Sequence, residues 1–446
     1  MSFTTAGVVP RGEIPAVSCW RDVYLAAGAR AVSTCGDFLA ATALALALQT
    51  AGAGGLVVSG VLLAATLPLV LLAPLTGRLA DRVASRTLLV CAGAGQAIVC
   101  AALAFVGDPY VIMLLAALLA CGLAVTQPTL AALLPEMVRR ADLPRASAIN
   151  QTAGSVGILI APALAGLLVG QFGARIPLLL DAGSYLALIA AGLLLRTHRG
   201  GRPATASPTT GLGVPVAAGS GPPAPAWRLR RDPLLATMVL AVAATAAGVG
   251  MANVVEVFYV RETLHASTTA FGLVSAAWTA GMLAGAWLLA GPARRARDDG
   301  ALVQAVLVML GAACLPIAIG ATVPAAGWLV PLWLAGGVAN GGLNVFCTLV
   351  LTNRVPPEAR GRAFAAQNAA IQGAGMFGYL AGGVLLAGFP PRPLVAATGL
   401  AGLAVVAAVT PVVLRATRRE RTRLRPAPLP SRSAGRPVEP TATVGS

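Results

Sequence analysis

Charge is what this sequence has least of. Only 11% of its 446 residues are charged and 57% are apolar, with a mean hydropathy of +0.80. Soluble domains carry roughly 25% charged residues, so a soluble globular fold is excluded. Lysine is absent: all 32 basic residues are arginine, and the net charge is +16. The arginines fall in short clusters between apolar blocks and form no continuous basic surface. That argues against nucleic acid as a partner and for a lipid bilayer. Histidine occurs twice, as His198 and His265, and the seven cysteines include no C-x-x-C pair. No metal site is expected, and buried cysteine then acts as a small hydrophobe. There is no G-x-x-x-x-G-K-[ST] loop for ATP. Period-two alternation is missing as well, which excludes an outer-membrane barrel. The first residues lack a basic stretch followed by a short apolar one, so the first apolar span is expected to act as an uncleaved insertion signal.

Long apolar runs are what remains. A membrane-crossing helix needs about 20 apolar residues, and twelve spans meet this: 23–48, 55–77, 87–107, 110–133, 147–170, 175–196, 233–259, 269–290, 301–322, 327–351, 363–388 and 393–415. The fold class is therefore an all-α membrane protein of twelve transmembrane helices. Residues 1–22 read as an N-terminal segment, 23–196 as a first six-helix bundle and 233–415 as a second. Between them, 197–232 is rich in Pro, Gly, Ala, Ser and Thr and reads as a flexible linker. Residues 416–446 read as a disordered basic tail whose first part lies against anionic headgroups. The termini and even-numbered connections hold 28 of the 32 arginines, the odd-numbered ones only Arg175, Arg261 and Arg392, and Arg30 lies within a span. The positive-inside rule then places both termini and the linker in the cytoplasm of a bacterial cell (inner) membrane.

The halves repeat. The segment from Val138 aligns without gaps on that from Val355, at an offset of 217 residues. Arg145 falls on Arg362, Ala146 on Ala363, Gly166 on Gly383, Asn150-Gln151 on Gln367-Asn368, and Gln127 on Asn344. Parallel six-helix repeats place a binding site between the halves near the bilayer midplane.

Charge inside a span marks the candidate site, because an acid at the centre of a helix costs roughly 2.5–3.5 kcal/mol to insert. Asp37 lies mid-way along the first helix and, moved between water and a low-dielectric interior, can take up and release a proton. Arg30, two turns earlier on the same face, is its candidate partner. Asp181 and Glu256, the latter beside Asn253, are placed to line an outer vestibule, with Arg261 a candidate local contact for Glu256. Gln127 and Asn344, with Asn340, Asn150 and Gln372, offer amides to a substrate or between helices. No His lies inside a span, so an intramembrane enzyme has no catalytic set here, and none is assigned.

The sequence GRLADRVASR at Gly77–Arg86 resembles the signature loop of the major facilitator superfamily, through Gly77, Leu79, Asp81, Arg82 and Arg86; Ala84 and Ser85 depart from it. Its S-x-x-G-D start in the first span, QPTLAALLPEMV and the stretch from Thr263 are similar to the macrolide-efflux and siderophore-exporter branch. The fifth helix, GSVGILIAPALAG, resembles that branch's antiporter motif, keeping Gly157, Pro162 and Gly166. The resemblance implies a monomeric, proton-coupled exporter of a hydrophobic or amphiphilic small molecule, working by rocker-switch alternating access with the proton gradient as energy source and no cofactor. It implies a gating role for Gly77, Arg78, Asp81, Arg82 and Arg86, with Asp81 facing the start of the eleventh helix. An importer or carrier of a specific metabolite is the alternative. A membrane enzyme or sensor is the remote one.

Overall fold

A computed structural model describes residues 18–197, 232–295, 299–356 and 359–424. Among them there is no strand, and there are twelve long α-helices: α1 (Trp20–Thr50), α2 (Gly55–Arg82), α3 (Ser85–Leu103), α4 (Pro109–Met137), α5 (Leu143–Phe172), α6 (Arg175–Leu194), α7 (Pro233–Phe258), α8 (Thr268–Arg295), α9 (Asp299–Gly320), α10 (Leu329–Arg354), α11 (Arg360–Leu385) and α12 (Pro391–Leu424). Each expected span is one of these helices. Eleven are long and apolar enough to cross a membrane; α11, diluted by Arg360, Arg362, Gln367, Asn368 and Gln372, falls short.

Several helices overrun their apolar spans. α2 continues past residue 77 to Arg82, and α12 past 415 to Leu424. Hydropathy measures the part of a helix that sits in hydrocarbon, whereas arginine-rich turns stay helical in the interface because arginine is a good helix former. Two expectations are corrected by this. Gly77 does not end α2 but lies inside it, and residues 416–424 are helix, not the start of a disordered tail. Residues 425–446, the linker from 198 to 231 and the first 17 residues lie outside the described part.

In the first half α1 packs on α5 and α6, α2 on α4, and α3 on α4 and α6. In the second α7 packs on α11 and α12, α8 on α10, and α9 on α10 and α12. These pairings correspond one to one when each helix is advanced by six, so the sequence repeat is also a repeat of packing. The halves meet through α5 on α8 and α2 on α11, which the same relation exchanges.

One end of the molecule carries residue 18 and the even-numbered connections; it is called here the terminal end, and the opposite one the far end. Local chemistry closes each half at the terminal end. The Cys19 amide donates to the Met137 carbonyl at 2.8 Å, the Ser18 hydroxyl to Asp142 Oδ2 at 2.5 Å, and the Arg145 guanidinium lies 4.8 Å over the Trp20 ring. In the second half Asp232 caps α7 by accepting from the Leu235 amide and pairs with Arg354 at 2.8 Å. Asp22 is fully buried and accepts from the Arg196 amide (3.0 Å), the Thr197 amide (2.9 Å) and the Thr197 hydroxyl (2.9 Å), tying the start of α1 to the end of α6. Asp22→Ala removes three hydrogen bonds to partly buried groups, each contributing about 0.5–1.5 kcal/mol. Purified Asp22→Ala in detergent is expected to melt several degrees below wild type, and an unchanged melting temperature would show the tie to be dispensable.

Candidate functional site

The polar residues of α1 and α6 come together inside the first half. A close approach of the two helices at Gly36, where a Cβ would run into Asp181 and Ser184, puts the neighbouring Asp37 beside α6. The Tyr185 hydroxyl donates to Asp37 Oδ1 at 2.6 Å. One turn back on α6, Asp181 accepts from the Ser184 hydroxyl at 3.0 Å and from the Cys100 thiol of α3 at 3.2 Å. Asp181 is 0% exposed, so it does not line an outer vestibule. Asp37 is less deeply enclosed, at intermediate burial. Two carboxyl groups on adjoining helices, one satisfied by a tyrosine and the other by a serine and a thiol, form a unit that can hold a proton without exposing the inner acid to water.

Sequence reasoning found both acids but missed their partners. The signal was available: Asp181, Ser184 and Tyr185 stand at i, i+3 and i+4, one face of a helix. Cys100 had no such mark.

Arg30 does not pair with Asp37. It lies two turns toward the terminal end, in a recess shared with Gln127 of α4. Glu256 is half-buried in the second half and accepts from the Ser275 hydroxyl at 3.3 Å. Its expected partner Arg261 goes elsewhere, to Gln49 Oε1 at 3.4 Å and the Ala266 carbonyl at 2.6 Å. Asn253 is exposed, and Asn344, also exposed, donates to the Asn340 carbonyl at 3.0 Å within its own helix. Neither joins the carboxyl cluster.

The side chains of Gly77, Arg78, Asp81 and Arg82 lie outside the described part. Their backbone is the last turns of α2, so the expected loop between α2 and α3 shrinks to Val83 and Ala84. Arg86 is exposed in the first turn of α3.

The α5 motif serves two contacts. A Cβ at Gly157 would lie 2.6 Å from the Ala31 carbonyl oxygen, so this glycine lets α5 rest on the backbone of α1. Pro162 and Gly166 face α8 of the other half: a Cβ at Gly166 would lie 2.5 Å from the Thr268 carbonyl oxygen, and one at Gly272 would run into the Pro162 carbonyl. The symmetry-related contact is Gly383 of α11 on Ser59 and Gly55 of α2. A third joins Gln49 Nε2 of α1 to Glu262 Oε1 at 3.1 Å, in the π-helical turn Tyr259–Thr263 that follows α7. All three lie at the far end. A leucine at Gly166 cannot coexist with the α5–α8 contact, so Gly166→Leu is expected to part the halves there. The readout is faster thiol labelling of a cysteine placed at Ser59 or Thr268; wild-type labelling rates would refute it.

The family model described as Major Facilitator Superfamily matches residues 26–297 and, in an overlapping second match, 238–443. A relative, the uncharacterized MFS-type transporter YfiS of Bacillus subtilis (strain 168), is 24% identical over 360 residues, 79% of this chain and 84% of that protein. Among solved structures, the nucleoside transporter NupG is similar with a TM-score of 0.67 and 16% identity, over 89% of this chain and 98% of that one. A bacterial homologue of the iron transporter ferroportin, in an inward-facing state, gives 0.66 and 16%, over 90% and 99%. A bacterial homologue of the human lysosomal transporter Spinster, inward-facing and unoccupied, gives 0.65 and 15%, over 94% and 100%. At these identities the likeness to solved structures is one of fold.

Proposed function

The chain belongs to the Major Facilitator Superfamily, and on that premise we propose that it is a proton-coupled exporter of a hydrophobic or amphiphilic small molecule. Membrane embedding and transport of a small molecule come with the family. The observation that carries the coupling is the Asp37–Tyr185–Asp181 cluster, an acid pair inside one bundle with one member fully buried and the other only partly so. The reading of alternating access is supported by two similarly packed six-helix halves whose contacts described above lie at one end. If the arginine distribution sets the orientation, the far end is the outer one, and a cavity closed there opens to the cytoplasm. That is the state in which an exporter loads. The cycle then runs by rocking the halves about the cluster: cargo leaves outward, Asp37 takes a proton from the outside, and the proton is released on return. The working unit is a single chain in the bacterial cell membrane, with both termini cytoplasmic.

Efflux of a panel of fluorescent dyes, macrolides and siderophores, from cells lacking their own exporters, tests this. Expression of the chain is expected to lower accumulation of some members, and a protonophore to cancel the effect. Accumulation that rises on expression would sink the export reading.

That second outcome belongs to a second reading, uptake of a small organic anion together with a proton. One observation favours it: among the described residues the guanidinium of Arg30 has no acid partner, and its Nε has no hydrogen bond.

A further inference from the structure

The face of α1 that carries Asp37 presents a second charged group two turns away. Arg30, Ser33 and Thr34 of α1, Thr126 and Gln127 of α4 and Leu188 of α6 line a shallow recess, open to solvent on one side, whose inner volume of about 10 Å³ is that of a single small polar group or water. Arg30 Nε is buried and, among the described residues, has no hydrogen-bond partner. Gly154 of α5 leaves it room, since a Cβ there would come within 3.1 Å of that nitrogen.

The hydroxyls around it are also uncommitted. Threonines nearby on the same helices donate to the carbonyl one turn back: Thr129 to Val125 at 2.7 Å and Thr42 to Phe38 at 2.8 Å. Ser33, Thr34 and Thr126 are only 5%, 8% and 2% exposed, yet among the described residues they make no such bond, and neither does Gln127. No acid lines the recess. A guanidinium stands there beside three hydroxyls and an amide, neutral groups that can accept a hydrogen bond but cannot balance its charge, and an arginine at this depth is costly unless paired. Chemistry of that kind matches a carboxylate, which a guanidinium binds through paired hydrogen bonds.

Asp37 supplies the opposite pole. Seven residues along α1 separate it from Arg30, about 10 Å at 1.5 Å per residue. We infer that the first-half cavity takes an amphoteric cargo, its carboxylate in the Arg30 recess and its amine on Asp37. The inference rests on the proton-exchange reading above and sharpens it. An amine on Asp37 competes with the proton, and that competition is what exchange of cargo against proton requires. A cargo with the acid alone would bind best to the protonated carboxyl and travel with the proton.

The test uses three probes of one chain length, on the full chain in lipid nanodiscs by titration calorimetry: 8-aminooctanoate, octanoate and octylamine. The amino acid is expected to bind at least about tenfold more tightly than either single-charge probe, a difference of about 1.4 kcal/mol. Arg30→Gln should reduce it to the level of octylamine, and Asp37→Asn to that of octanoate. Thr126→Val, which removes one donor and no charge, should weaken both carboxylates and leave octylamine alone, so the result does not hang on the folding of the arginine variant. Equal affinity for the three probes, or indifference to Arg30→Gln and Thr126→Val, overturns the inference. Octanoate binding as tightly as the amino acid, with proton uptake, overturns it in favour of the uptake reading. Failure of the export reading is seen separately, as a dye panel that does not move while 8-aminooctanoate still binds.

Discussion

Asp37→Asn is expected to reduce protonophore-sensitive efflux to that of cells without the transporter, at unchanged protein level in the membrane. Asparagine has nearly the shape of aspartate, and its carbonyl oxygen can still accept from the Tyr185 hydroxyl now 2.6 Å away, so the contact between α1 and α6 survives. What is lost is the ability to exchange a proton. Asp181 cannot substitute, because it is 0% exposed and held by Ser184 and Cys100. Tyr185→Phe keeps the ring and removes the donor, and should slow proton-driven efflux several-fold without ending exchange of cargo for cargo. Proteoliposomes loaded with dye, given a pH step, separate the two: cargo exchange at equilibrium persists in Tyr185→Phe, and acceleration by the pH step fails in Asp37→Asn. A normal response to the pH step in that variant would move the coupling to Glu256.

The second large effect is on folding. Gly337→Leu is expected to prevent accumulation of monodisperse protein. Lipid tails are as apolar as leucine, so association of helices in a membrane depends on close packing of small residues. α8 and α10 carry this furthest. A Cβ on Gly337 would run into the Trp278 carbonyl, on Gly341 into that of Met282, on Gly281 into that of Leu334 and on Gly285 into that of Val338. Overpacking costs typically 1–3 kcal/mol where side chains can move aside. Here the opposing atoms are backbone, so the two helices must separate along most of their contact. Gly95→Leu is the control: nothing lies within 4 Å of a Cβ there, and leucine favours helix over glycine by close to 1 kcal/mol. Size-exclusion profiles of fluorescent fusions should show a sharp peak for wild type and Gly95→Leu, and aggregate for Gly337→Leu. A sharp peak for Gly337→Leu would mean that the α8–α10 contact is not needed for assembly.

Much of this was legible along the chain. The twelve helices could be read from hydropathy because crossing hydrocarbon imposes a length and a composition that hold whatever the helix touches. The two halves were legible because Arg145 and Arg362, and Gly166 and Gly383, recur at a single offset; the structure puts both glycines at contacts between the halves. Asp37 and Asp181 stood out because a carboxyl group in an apolar span is rare. Where helices end was less legible, as α2 and α12 show, because arginine closes an apolar window without closing a helix.

Sequence by itself thus determined the class of fold, the number of helices and their division into two related sets. Tertiary structure alone decided which residues meet. That Tyr185 serves Asp37, that Cys100 serves Asp181, that Arg261 turns to Gln49, and that Arg30 shares a recess with Thr126 and Gln127 are contacts between helices. The physical reason is the solvent. In water a helix shows its buried face by an apolar stripe. In a bilayer both the lipid and the protein interior are apolar, the stripe disappears, and only the packing of one helix on another settles which way each polar side chain is turned.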